Sequence, residues 1–225
     1  MPSLARRAVA EMLGTAFVVF FAAGAIIMNM FPDAGYHIFG IAIVYAVVTA
    51  LAVSMTMAVS GGHCNPAVTI GLLTARRIAP VDAFVYVLSQ LAGALVAAYL
   101  VRALLPDNVG HVLAYGTPML TSTVTFGQGV VLEAIFTFVL MSAFMGTVVA
   151  ANGPKIGGFG VGLALIPIVM IGAPLTGGVA NPARAFGPAI ISGSVTAQAV
   201  WWIGPVVGAV IAALLWSYVL LRSET

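Results

Sequence analysis

Charge is what this chain has least of. Asp, Glu, Lys and Arg make up 6% of its 225 residues, against 62% apolar residues, a balance that excludes a water-soluble globule and points to a membrane chain. The eight basic and six acidic residues leave a net charge of +2 and form no basic cluster, so nucleic acid is excluded as a partner. Cysteine is limited to Cys64, which excludes an intramolecular disulfide framework and a cysteine-built metal cluster. His37 and His111 lie without metal-ligand spacing and read as surface residues. No nucleophile–base pair or phosphate loop stands out, so neither catalysis nor a cofactor is expected.

Long apolar runs are abundant. They cover roughly Ala8–Met30, Ile38–Val59, Val81–Leu105, Gly129–Ala151, Gly157–Ala173 and Ala197–Leu221, each near the ~20 residues a helix needs to cross hydrocarbon. The first comes after Arg6 and Arg7 like a signal peptide, but it lacks a convincing small-residue cleavage site and is read as a retained span. The expectation is an all-α membrane protein with six transmembrane helices. If the spans alternate, Arg6, Arg7, Arg76, Arg77, Lys155 and Arg222 share one side, which should be the cytoplasm with both termini. Arg102 and Arg184 are the exceptions. Arg102 is expected to snorkel outward at the membrane interface.

The chain repeats itself. QLAGALVAA at Gln90 resembles PVVGAVIAA at Pro205, Phe39-Gly40 has a counterpart in Phe159-Gly160, and Glu11 with Thr15 matches Glu133 with Thr137. Three spans per repeat is an odd number, so the second half must be inserted upside down, an inverted repeat whose functional site falls near the midplane. The chain is read as a single channel domain, 1–225, with one repeat over about 1–105 and the other over about 127–225. The outer joint, about 105–127, carries turn-forming Pro106, Asp107, Asn108, Gly116 and Pro118 and is long enough to cover a pore mouth.

Each half contains one motif: GGHCNPAVTIG from Gly61 and GGVANPARAFG from Gly177. The stretch after each Asn-Pro-Ala is too apolar for an aqueous loop and too short to cross, since ten residues give ~15 Å of helix against a ~30 Å core. Two half-helices entering from opposite sides would meet tip to tip. Pro66 and Pro182 suit the first helical position, and Asn65 and Asn181 can cap the free backbone donors, leaving their amide NH₂ groups free. The paired glycines allow the chain to re-enter close to its neighbours. Two amides and two positive helix ends then face a polar path that donates hydrogen bonds and repels cations. A water there would offer its oxygen to both amides, interrupting a proton wire. The residues point to a passive pore for small neutral solutes.

With SGGHCNPAVTIG and TGGVANPARAFGPA in corresponding places of two inverted halves, the chain resembles the aquaporin (major intrinsic protein) family over essentially its whole length. The resemblance implies six transmembrane helices, two re-entrant half-helices, one pore per protomer and a homotetramer. It marks Asn65, Pro66, Ala67, Asn181, Pro182 and Ala183 as the pore motifs, and Arg184 as the selectivity-filter arginine near the outer mouth, whose charge rejects cations. By the family's register the remaining filter positions are Tyr45, Val169 and Gly178. Tyr45 lies ~12 Å inside the outer end of its span and Val169 about one turn from the end of its own, so they can share a level. The filter departs from the water-selective pattern, which has a histidine in place of Val169. It departs also from the glycerol-facilitator pattern, because Gly178 supplies no second aromatic. Ala185, Ala189 and Trp201-Trp202 lean toward water channels. The expected permeant is water, through a filter wide enough for other small neutral solutes; the alternative is a glycerol or small-solute facilitator of the same family.

Other residues carry competing readings. Glu11 and Glu133 could form the proton relay of a coupled transporter, but their repeat symmetry favours bracing of the re-entrant segments. The absence of further acids or basic partners in the spans also argues against coupling. A scaffold with a vestigial pore is opposed by the intact motifs and Arg184. His63 is read as loop support, bonding a backbone carbonyl, with a pH gate as the alternative. Cys64 is either a mercurial target facing the pore or a small buried thiol. Gly93 and Gly208 mark seams of close helix packing. The expected location is the plasma (inner) membrane of a microbe, with lipid around the bundle.

Overall fold

The computed structural model describes residues 2–31 and 33–221, and is helical with no strand among them. Arg222, expected on the basic side, lies outside the described residues. Five helices are long and apolar enough to cross a membrane: α1 (Leu4–Asn29), α2 (His37–Ser60), α4 (Pro80–Leu104), α6 (Phe126–Phe144) with its extension to Val149, and α9 (Val200–Leu215) with its extension to Leu220. Between them lie two short helices, α3 (Pro66–Thr74) and α5 (Asp107–Val112), then α7 (Gly158–Gly172) and α8 (Pro182–Ser192).

The sixth expected span, α7, has only 15 residues, about 22 Å of helix where ~30 Å is needed. Turns at 155–157 and 173–176 extend it at both ends. The 105–127 joint is not simply a string of turns. It folds into α5 and a tight turn in which Tyr115, buried, donates its hydroxyl to Asp107 at 2.6 Å. Sequence periodicity also gives no sign of the π-helical turns that finish α6 (Met145–Val149) and α9 (Trp216–Leu220).

Apolar side chains such as Phe21, Leu51, Phe84, Ile135, Leu163 and Ile211 stand exposed around the perimeter. The interior holds small residues together with a few polar ones, Glu11, Thr69, Gln90, Glu133, Thr176 and Arg184 among them. That inside-out distribution is what hydrocarbon surroundings demand. Gly93 faces the backbone of Met12 and Gly208 that of Ala134, so a Cβ at either glycine would overlap a carbonyl of the neighbouring helix. These seams hold α4 on α1 and α9 on α6 in the same way in the two inverted halves.

The half-helices α3 and α8 are exchanged between the halves. Gly71 of α3 lies against the Ala209 carbonyl of α9, and Gly187 of α8 lies against the Ala94 carbonyl of α4. Each short helix therefore rests on the last long helix of the opposite repeat. With nine and 11 residues, the two add up to about 30 Å, one full crossing.

Candidate functional site: two re-entrant loops around a narrow path

The loops preceding α3 and α8 repeat one backbone conformation. Gly61 and Gly177 have φ of 93° and 94°, Gly62 and Gly178 69° and 58°, Cys64 and Ala180 48° and 49°. Glycine suits the first two positions in each loop, but Cys64 and Ala180 carry a Cβ in the left-handed region, at a cost of order 1–3 kcal/mol each. Such strain persists only where surroundings fix it. Here a buried carboxylate does so in each half.

Glu11 accepts from the backbone N–H of His63 (3.0 Å) and Cys64 (2.7 Å), from the Ser60 hydroxyl (2.6 Å) and from the Gln90 amide (2.7 Å). Glu133 accepts from the N–H of Val179 (3.1 Å) and Ala180 (2.8 Å) and from the Thr176 hydroxyl (2.6 Å). Both carboxylates aim at loop donors that would otherwise be unpaired in the membrane interior, where a lost partner is expensive. An aromatic group completes each loop from α4 or α9. Tyr86 donates to the Ser60 carbonyl at 2.8 Å, and the Trp201 indole to the Thr176 carbonyl at 2.9 Å.

Asn65 and Asn181 sit in extended backbone as N-caps, each accepting at Oδ1 from the second residue of its helix, Ala67 at 2.9 Å and Ala183 at 3.0 Å. Pro66 and Pro182 open the helices, where the absent N–H costs nothing. The amides are less free than expected. Asn65 Nδ2 donates to the Ala180 carbonyl at 2.8 Å, and Asn181 Nδ2 to the Cys64 carbonyl at 3.1 Å. One amide hydrogen of each therefore buttons the loops together, and one remains. The two half-helices thus meet N-terminus to N-terminus, concentrating positive partial charge at the junction.

Beside that junction lies a cavity of about 20 Å³ lined by Tyr45, Thr49, Val53, Val68, Leu140, Phe144, Val161 and Leu165, with Val18, His63, Cys64, Asn65 and Asn181. One water needs roughly 10–15 Å³ by this measure. The cavity therefore has room for about one water.

The residues expected at the filter surround the second loop. Tyr45, buried on α2, donates its hydroxyl to the Val179 carbonyl at 2.7 Å. A Cβ on Gly178 would sit 2.7 Å from the Ile168 carbonyl and 3.1 Å from Val169 Cα, so α7 packs directly on this glycine. Arg184 comes one turn of chain after Asn181, buried, with Nη1 on the Gly116 carbonyl at 2.7 Å and no protein partner for Nε. Gly116 belongs to the 105–127 joint, which thereby reaches the guanidinium.

Two expectations change, for His63 and Arg102. The His63 ring pairs through Nδ1 with the Thr69 hydroxyl at 3.1 Å, edge-on to Tyr86 and Phe144, so its partner is a hydroxyl of α3 and not the backbone carbonyl expected. Arg102 does not merely snorkel: it reaches the Ile191 carbonyl in the last turn of α8 at 3.4 Å and stacks 5.6 Å over Tyr115, a cation drawn to a helix C-terminus. The Cys64 thiol is buried, 3.5 Å from the Thr56 hydroxyl and packed into the space left by Gly14. Gln90, Ser60, Thr176 and Tyr86 do not stand out from the sequence as site residues. Ser60 and Thr176 occupy the same place in the two motifs, which is the one available signal.

An all-helical, membrane-spanning bundle with paired re-entrant loops around a narrow path defines an integral membrane protein of channel architecture. Comparison with known sequences makes this specific: the profile of the family described as Major intrinsic protein matches residues 1–216, and the chain belongs to that family. Human aquaporin-5 is 36% identical over 214 residues, covering 94% of this chain and 79% of that protein. Maize aquaporin NIP1-1 is 36% identical over 220 residues, covering 96% and 75%. The X-ray structure of the aquaglyceroporin from Plasmodium falciparum shares the fold, with a TM-score of 0.85 over 97% of both chains at 22% identity. The chain is thus similar in sequence to proteins named aquaporin and in fold to one named aquaglyceroporin.

Proposed function

We propose that this protein is a passive channel whose main permeant is water, which passes in single file while protons and ions are excluded. The observation that carries this reading is the cavity of about 20 Å³ at the junction of the half-helices, with room for about one water. Two further features support it. The remaining amide hydrogens of Asn65 and Asn181 can donate to a permeant oxygen, and the converging helix ends oppose cations. Arg184 adds a buried positive charge with an unpartnered Nε, suited to replacing part of a permeant's hydration. In this reading Tyr45, Val169, Gly178 and Arg184 form the filter, and Asn65, Pro66, Ala67, Asn181, Pro182 and Ala183 the central constriction. Glu11 and Glu133 are loop braces, since their carboxylates are occupied by loop donors and neither lines the cavity. His63 supports the first loop through Thr69.

The repeats, 1–105 and 127–225, form one transmembrane domain. The face bearing Arg6, Arg7, Arg76, Arg77 and Lys155 is cytoplasmic by the positive-inside rule. The functional form is a homotetramer in the plasma membrane. Stopped-flow light scattering on proteoliposomes, challenged with an impermeant sugar and then with glycerol, tests the permeant. Fast shrinkage with slow glycerol re-swelling is expected, and an Arg184→Val variant should speed re-swelling as the filter widens. Rapid re-swelling in the parent protein would assign it instead as a facilitator of glycerol or similar solutes.

A further inference from the structure

One hydroxyl in the path has no partner. Threonine in a helix ordinarily returns its Oγ1 to the carbonyl four residues earlier. Thr56, Thr137 and Thr147 do so here, on the carbonyls of Ala52 (2.6 Å), Glu133 (2.8 Å) and Ala143 (2.8 Å). Thr49 does not. Thr49 is 8% exposed, its Oγ1 has no hydrogen-bond partner in the protein, and the residue lines the cavity together with Tyr45 and the two asparagines. A buried, unpaired hydroxyl in an apolar setting is costly, and the cavity beside it is large enough for one water.

Its neighbours sharpen the point. Tyr45, one turn away on the same face of α2, has committed its donor to the Val179 carbonyl at 2.7 Å. Val53, a turn further on, and Val161, Leu165 and Leu140 across the path are apolar. Thr49 therefore carries the one lining hydroxyl, among the described residues, whose donor is uncommitted.

We propose that Thr49 is a specificity-determining residue of the path, its hydroxyl binding the permeant directly between the filter level and the asparagine pair. A hydroxyl can both donate and accept, so it serves a water in either orientation and divides an otherwise apolar stretch into two short steps. It also offers a hydrogen-bond partner to permeants bearing O–H or N–H groups and none to apolar gases. This role for Thr49 rests on the protein being a channel, as proposed above.

The test compares the parent protein with Thr49→Val, which is nearly isosteric, and Thr49→Ser, which keeps the hydroxyl, in proteoliposomes of matched protein content. Osmotic water permeability per protein should fall about fivefold in Thr49→Val, the equivalent of one net hydrogen bond, with a steeper temperature dependence. Thr49→Ser should stay close to the parent. Equal permeability of parent and Thr49→Val would overturn the inference while leaving the channel intact. Equal losses in both variants would also overturn it, because the methyl group rather than the hydroxyl would then matter. A parent no more permeable than empty liposomes would instead defeat the channel reading itself.

Discussion

At the scale of single residues, the site is held by groups that never need to touch a permeant. Glu133 satisfies two loop N–H donors and a hydroxyl in its half, and it is these bonds that keep Ala180 in left-handed backbone. Glu133→Gln leaves the shape but replaces one acceptor oxygen with a donor facing another donor. A loss of about 1–3 kcal/mol is expected, read as a lower melting temperature in detergent, together with reduced water flux. A variant equally stable but insensitive to pH gradients would point to a proton relay instead of a brace. The asparagines and prolines are legible in the sequence because N-capping and helix initiation are local chemistry. Gln90, Tyr86 and Trp201 are not legible as braces, since each acts on a residue 25 or more positions away. Only the fold brings those groups together. The His63–Thr69 pair shows the same limit at short range, because the choice between a carbonyl and a hydroxyl depends on ring orientation.

At the scale of elements, the exchanged half-helices decide whether a path exists. A Cβ on Gly71 would stand 2.9 Å from the Ala209 carbonyl oxygen and 3.2 Å from its carbon, and neither backbone atom can move aside like a flexible side chain. Gly71→Val should push α3 off α9 and cost about 1–3 kcal/mol by overpacking, with flux lost more completely than fold. Unchanged melting and flux would mean that α3 is not clamped as described. The long spans are readable from hydropathy to within a few residues, since burial in lipid imposes unbroken apolar runs. Hydropathy does not register hydrogen-bond pattern, so the π-helical ends of α6 and α9 and the short helix α5 leave no trace in it. The shortness of α7, by contrast, is visible in its apolar run, Gly157–Ala173, which exceeds the helix by one residue at each end. The Arg102 contact is invisible, because its partner, the last turn of α8, lies 89 positions away.

At the scale of the whole molecule, two inverted halves with equivalent loop geometry create a polar junction inside an apolar bundle. The halves are alike in backbone and unlike in two useful places. Arg184 stands only after the second motif, where it bonds the Gly116 carbonyl, and Gln90 reinforces only the first loop through Glu11 and Thr69. The repeat is visible in the sequence as paired motifs, and its inversion comes from an odd number of spans. The central claim is passive water conduction that leaves protons behind. The most direct measurement is osmotic shrinkage of proteoliposomes carrying a trapped pH dye, with and without an imposed pH gradient. The account predicts shrinkage faster than in protein-free vesicles, weakly dependent on temperature, indifferent to the gradient and accompanied by no added dye response. Shrinkage no faster than in protein-free vesicles, or solute movement that tracks the pH gradient with a matching dye signal, would contradict it.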